Sequence, residues 1–209
     1  MIYILSQKKY DDAKNLPCIM IRYIEKNIKL DSYEALVFTS KNGVIAIDRI
    51  NKKWKNIPSY SIGSGTSSAI KKLGGRVEFE AKSSYGNDFA KEIRKRLEGK
   101  KVLFLRAKVV TSKLNTILKE AGVKLDEEIV YETVCNECKN LSKPPKNSCI
   151  IFSSPSTIEC FFNCFEWDDS YKAVVIGEVT LKALPKGIPF VISDKTNILS
   201  CIEKCKTLT

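Results

Sequence analysis

The sequence predicts an α/β protein of two similar lobes with parallel sheets, joined by a two-stranded antiparallel β linker, and three observations carry that expectation. Short, wholly apolar runs such as Ala35-Leu36-Val37-Phe38 and Cys149-Ile150-Ile151-Phe152 have the pattern of strands buried on both faces of a parallel sheet. Each run is followed by a small polar turn and an amphipathic stretch, so strand and helix alternate. The pattern also repeats: the shift that takes Phe38 to Phe152 takes Ser40 to Ser154, Ile62 to Ile176, Gly63 to Gly177, Thr66 to Thr180 and Ala69 to Ala183. Chance does not easily place so many matches at one fixed offset.

In order along the chain, Ile2-Tyr3-Ile4-Leu5 reads as a strand, followed by a polar, turn-like stretch over residues 6–17 that is too short for a full helix. Residues 18–26 alternate Ile19, Ile21 and Tyr23 with Met20, Arg22 and Ile24, the mark of a half-exposed strand. After the strand ending at Phe38, a helix over residues 42–51 turns Val44, Ile47 and Ile50 inward. A second strand-and-turn unit ends in Ile62-Gly63-Ser64-Gly65-Thr66, with a helix over residues 66–73 stopped by Gly74-Gly75. Residues 77–80 form a strand, 87–97 a helix with Phe89, Ile93 and Leu97 on one face, 102–105 a strand, and 111–121 a helix ended by Gly122.

Residues 128–134 alternate again, with Ile129, Tyr131 and Thr133 expected on one side, and can pair with residues 18–26 as an antiparallel ribbon. The Pro-containing stretch 136–148 reads as a loop. The second copy of the motif follows, and then Phe190-Val191-Ile192 and a helix over residues 196–204. The first strand belongs with this C-terminal half. The expected division is therefore a discontinuous lobe of residues 1–17 with 135–209, a continuous lobe of 27–127, and a linker of 18–26 and 128–134.

Composition bounds the chemistry. Across 209 residues, 44% hydrophobic content is enough for two modest cores. The net charge of +11 favours anionic partners, although a Lys-rich solvated surface explains it equally. The basic residues are dispersed without an aromatic-and-basic motif, so no nucleic-acid partner is expected, and no apolar run is long enough for a membrane span. There is no histidine, which removes Ser-His-Asp and Cys-His constellations and imidazole acid–base catalysis. Eight cysteines, several in apolar segments, read as reduced, buried thiols of a cytoplasmic protein. Cys135 and Cys138 form a C-x-x-C that lacks a second pair at zinc spacing, so no metal is expected.

The ordered set F-T-S-x-N-G-V at residues 38–44, I-G-x-x-T at 62–66, I-V-Y-E-T-V at 129–134, F-S-S-P-S-T at 152–157 and I-G-x-x-T at 176–180 resembles the uroporphyrinogen-III synthase family over nearly the whole chain. The resemblance implies two flavodoxin-like lobes with the active site in their cleft. It further implies closure of hydroxymethylbilane, a linear tetrapyrrole with eight carboxylates, into a ring with loss of water and inversion of the last pyrrole. It implies no cofactor, a monomer, a cytoplasmic location and a transient contact with hydroxymethylbilane synthase. Tyr131 matches the family's tyrosine near the linker, a candidate proton donor, against which stands a plain role as a packed, hydrogen-bonded strand residue. Substrate-binding positions carried over are Thr39, Ser40, Asn42, Ser64, Thr66, Tyr85, Gly86, Asn87, Arg106, Ser154, Ser156, Thr157 and Thr180. For each hydroxyl, simple N-capping is the competing role, and for Arg106 a surface ion pair. The sequence departs from the family at Glu178-Val179, where an acid would repel a substrate carboxylate. A non-catalytic two-lobed module for a small anion or nucleotide is the alternative, without a glycine-rich phosphate signature to support it.

Overall fold

The protein is described by a computed structural model covering every residue except Gln7, Ser83, Ser84 and Thr209, with the side chain of Asn140 also outside the description. In chain order its strands and helices begin with β1 (Ile2–Ile4), β2 (Lys14–Asn15), β3 (Ile19–Tyr23), β4 (Ala35–Phe38), α1 (Lys41–Ile50), β5 (Ser59–Ser61), α2 (Gly63–Lys72) and β6 (Val77–Glu80). They continue with α3 (Gly86–Leu97), β7 (Lys101–Ala107), α4 (Leu114–Glu120), β8 (Lys124–Cys135), β9 (Cys149–Phe152) and α5 (Pro155–Cys164). The chain ends with β10 (Lys172–Val175), α6 (Glu178–Leu181), β11 (Phe190–Ile192) and α7 (Ile198–Lys206). Two compact units result, one of residues 1–20 with 133–209 and one of residues 21–132. We call them the split and the continuous unit.

The continuous unit is built on a sheet of order β3-β8-β7-β4-β5-β6, in which β4 to β8 run parallel. Successive residues of a strand point to opposite faces, and both faces of this sheet are apolar. Val37 and Phe104 face Phe89, Ile93 and Leu97 of α3 with Leu114 and Leu118 of α4. Leu36, Phe38, Leu103 and Leu105 face Val44 and Ile47 of α1, Ile70 of α2 and Trp54. Trp54 is fully buried, and its indole N–H donates to Asp48 Oδ1 at 3.1 Å. Burial disfavours the Asp48 carboxylate, but hydrogen bonds from Lys52 and Trp54 outweigh that and hold its pKa below the ordinary value. At the sheet edge β3 runs antiparallel to β8: Arg22 meets Glu132, Ile24 N–H donates to the Val130 carbonyl, and Lys26 meets Glu128.

The split unit carries a sheet of order β11-β10-β9-β1-β2, parallel throughout. The N-terminal strand thus lies in one sheet with the C-terminal ones. Ile150, Phe152, Ala173 and Val175 pack on Ile158 and Phe161 of α5, while Ile4, Ile151 and Val174 pack on Cys201, Ile202 and Cys205 of α7. As the short spacer requires, no helix follows β1 among the described residues.

Three features differ from the sequence reading. Val130 and Tyr131 are both buried, whereas Thr133 is exposed, so the expected Ile129/Tyr131/Thr133 face is not kept. The register between β7 and β8 slips at Arg106/Ala107, and such a bulge re-aims the side chains beyond it. The helix expected from Thr66 begins at Gly63, whose φ of +64° supplies the turn that a side chain would resist. Finally, the cysteines expected as thiols are largely paired. Disulfides join Cys135 to Cys160, Cys138 to Cys164 and Cys149 to Cys205, leaving Cys18 and Cys201 as buried free thiols. Apolar burial of α5 and α7 sets their cysteines directly against cysteines of neighbouring segments, within the Cα separations a bridge needs.

Candidate active site

Parallel strands deliver their carboxyl ends, and the starts of the helices that follow, to one edge of each sheet, which is where open α/β sheets bind ligands. In the continuous unit this edge begins at Thr39 and Ser40 after β4. Ser40 is the N-cap of α1, its Oγ accepting from the Asn42 N–H at 3.1 Å. The first turn of α1 lies so close to β7 that a Cβ at Gly43 would sit 2.8 Å from the Leu105 carbonyl oxygen. Glycine there fixes where Ser40 and Asn42 stand.

The next helix start is more open. The cap residue of α2, Ile62, offers no side-chain hydrogen bond, so the first-turn N–H groups lack that partner. Ser64 and Gly65 are exposed, and a Cβ at Gly63 or Gly65 would meet nothing within 4 Å. An uncapped helix start with an open approach suits a carboxylate. Thr66 is instead buried, facing the core.

Tyr85, Gly86 and Asn87 open α3. Tyr85 is 57% exposed, while Asn87 Oδ1 accepts from the Lys113 N–H at 2.8 Å. A Cβ on Gly86 would lie 2.5 Å from Ser112, so glycine and asparagine together dock the 108–113 segment. Arg106 is already engaged: its Nε donates to Glu127 at 2.8 Å and its Nη1 to the carbonyls of Ala107 and Lys108. Asn115 and Lys119 bind the other Glu127 oxygen. Burial raises the Glu127 pKa, but these hydrogen bonds and the Arg106 charge bring it below its ordinary value. Arg106 therefore braces the edge.

Tyr131 stands at the same edge, 6% exposed. Burial pushes its phenol above the ordinary 10.0, a hydrogen bond with Ser40 works the other way, and nearby Tyr23 adds to the rise. The net rise keeps the hydroxyl protonated near neutral pH. A buried, protonated phenol beside a helix start can donate a proton or a hydrogen bond.

In the split unit the corresponding edge holds Ser154, Ser156 and Thr157. Ser154 caps α5 in a reciprocal capping box with Thr157, and its Oγ lies 3.0 Å from that of Ser156. Thr157 and Thr180 are buried, which assigns them to the frame. Glu178 opens the four-residue α6, so the acid that departs from the family pattern sits at a helix start. Asn197, which the sequence reading placed inside a helix, caps α7 through a bond from the Ser200 N–H; the Asn before an apolar periodic run was the available signal. Among the described residues no group of three or more His, Cys, Asp or Glu side chains is set to hold a metal, and no helix is long and apolar enough to cross a membrane.

Fold and edge chemistry together define an α/β protein of two parallel-sheet units whose helix starts suit a carboxylate-bearing ligand. The family profile described as uroporphyrinogen-III synthase HemD matches residues 12–203. The porphyrin biosynthesis protein HemD of Ruminiclostridium josui is 31% identical over 211 residues, covering 90% of this chain. The chain spans only 42% of that relative's length. Among solved structures, uroporphyrinogen-III synthetase from Helicobacter pylori is 30% identical, with a TM-score of 0.85 over 100% of this chain and 99% of that one. A mutant uroporphyrinogen III synthase from Thermus thermophilus, 11% identical, shares the fold at a TM-score of 0.57 over 99% and 97% of the two chains. The chain belongs to the uroporphyrinogen-III synthase HemD family.

Proposed function

We propose that this protein closes hydroxymethylbilane to uroporphyrinogen III, inverting the last pyrrole ring and releasing water. The observation that carries the reading, given the family, is the buried Tyr131 phenol beside Ser40 at the start of α1. The linear substrate carries its own reactive hydroxymethyl group. The protein therefore needs to hold carboxylates so that the inverting carbon comes within attack distance, and to ease departure of the hydroxyl. Backbone N–H groups at the open start of α2, with Ser64 there and Thr39, Ser40 and Asn42 at the start of α1, supply the hold. Tyr85 and Asn87 border them in the continuous unit, and Ser154 and Ser156 offer hydroxyls in the split unit. Tyr131 supplies the proton or hydrogen bond to the leaving hydroxyl.

Chemistry of this kind calls for no cofactor. The protein acts as a cytoplasmic monomer and receives its short-lived substrate through transient contact with hydroxymethylbilane synthase. Incubation with freshly generated hydroxymethylbilane, followed by oxidation and separation of isomers, tests the reading. The type III fraction rises with enzyme concentration. Type I alone at every enzyme level overturns it.

A further inference from the structure

All eight cysteines fall within residues 1–20 and 133–209, and the continuous unit has none. Four of them converge. Cys135 ends β8, and Cys138 opens a 3₁₀ turn over Cys138–Asn140. Facing them, Cys160 and Cys164 stand one turn apart on α5. The C-x-x-C thus meets a C-x-x-x-C in matching order, with Cα separations of 5.0 Å for Cys135 to Cys160 and 5.1 Å for Cys138 to Cys164. Asn163 ties the two bridges into one locality. Its side-chain amide donates to Cys135 Sγ at 3.3 Å, and its carbonyl oxygen lies 3.5 Å from Cys138 Sγ.

We propose that, on reduction, Cys135, Cys138, Cys160 and Cys164 form a closed tetrathiolate site for one zinc ion. With its sulfurs joined in pairs the cluster offers no metal-ready group. Each disulfide takes up two electrons and two protons; a phosphine with one water supplies them and leaves as the phosphine oxide. Four thiols then crowd one half-buried spot against the apolar layer around Phe161. Zinc binds them as thiolates and releases four protons, giving a site of charge −2. Zinc takes four sulfurs tetrahedrally at about 2.3 Å, which sets neighbouring sulfurs about 3.8 Å apart.

Asn163, 3.3 Å from Cys135 Sγ through its side chain and 3.5 Å from Cys138 Sγ through its backbone carbonyl, holds the two pairs in one locality, where the strand end and the 3₁₀ turn adjust to that spacing. The Asn163 amide is a weak partner for a disulfide sulfur but a strong one for a metal-bound thiolate, where such donors orient the ligand. Four protein ligands leave no open position, so the site is structural. It fastens the end of β8 to α5, the helix whose start carries Ser154 and Ser156. The third bridge, Cys149 to Cys205, lies in a separate apolar cluster and takes no part.

The test uses the whole chain, reduced anaerobically with a water-soluble phosphine, freed of reductant and titrated with cobalt(II), then zinc(II). One cobalt per chain is expected, with d–d and thiolate-to-cobalt bands of tetrahedral coordination, displaced by one equivalent of zinc. Cys138→Ser weakens metal affinity at least about tenfold through loss of a first ligand, while Cys149→Ser/Cys205→Ser leaves stoichiometry and spectrum unchanged. Reduced wild-type protein that binds neither metal at micromolar concentration overturns the proposal, as does undiminished binding in Cys138→Ser/Cys164→Ser, or iron with inorganic sulfide in place of zinc. Because the readout is metal binding, it is independent of whether the protein closes hydroxymethylbilane.

Discussion

Individual residues divide into those that hold the edge and those that can act there. Tyr131, buried beside Ser40, is the group proposed to act. Tyr131→Phe keeps the ring and deletes the hydroxyl, so turnover falls by about 10²-fold, measured with enzyme limiting. Its raised pKa also has a stability consequence. A folded-state pKa above the unfolded 10.0 means that the native protein holds the proton more tightly, so this contribution is complete below pH 10 and is lost as pH rises through the folded value. Urea midpoints followed from about pH 9 to 12 therefore fall less steeply in Tyr131→Phe than in wild type. Asp48 instead serves the core: Asp48→Ala orphans the buried indole N–H of Trp54 and costs about 1–3 kcal/mol in urea unfolding. That Tyr131 lies on a strand was legible from its alternating segment. An ion pair of Arg106 was weighed from the sequence, but its partner was not legible, because Glu127 lies on a different strand and no local spacing announces that pair.

Elements were legible wherever local pattern and tertiary burial agree. The apolar runs at β4 and β9 are buried at every position, and the Phe89, Ile93 and Leu97 stripe of α3 is fully buried. Boundaries failed where a backbone property decided them. Gly63 opens α2 with a positive φ, which the sequence reading passed over for the more familiar cap at Thr66. Gly63→Ala strains the turn by about 1–2 kcal/mol and displaces the open N–H groups, so KM rises more than kcat falls in steady-state kinetics. Ser154→Ala breaks the capping box of α5 and lowers stability by about 1 kcal/mol, read from thermal or urea unfolding. The disulfides escaped the sequence reading because cysteines in apolar segments look alike whether paired or free, and only the packing of α5 and α7 selects their partners.

At the scale of the molecule, the proposed function puts product choice in the bound conformation of the substrate, spread over many backbone contacts, and not in any one side chain. On that proposal, the protein selects one geometry of its substrate before closure. The repeated motif disclosed the two-unit architecture early, since the same strand-turn-helix start appears in both units. The measurement that bears most directly on the claim is the isomer ratio formed by folded Tyr131→Phe with enzyme in excess over hydroxymethylbilane. Slowed closure with type III still predominating is expected, because the proposed hold on the substrate is intact. Type I as the main product in that variant, with wild-type circular dichroism and urea stability near neutral pH, would contradict it.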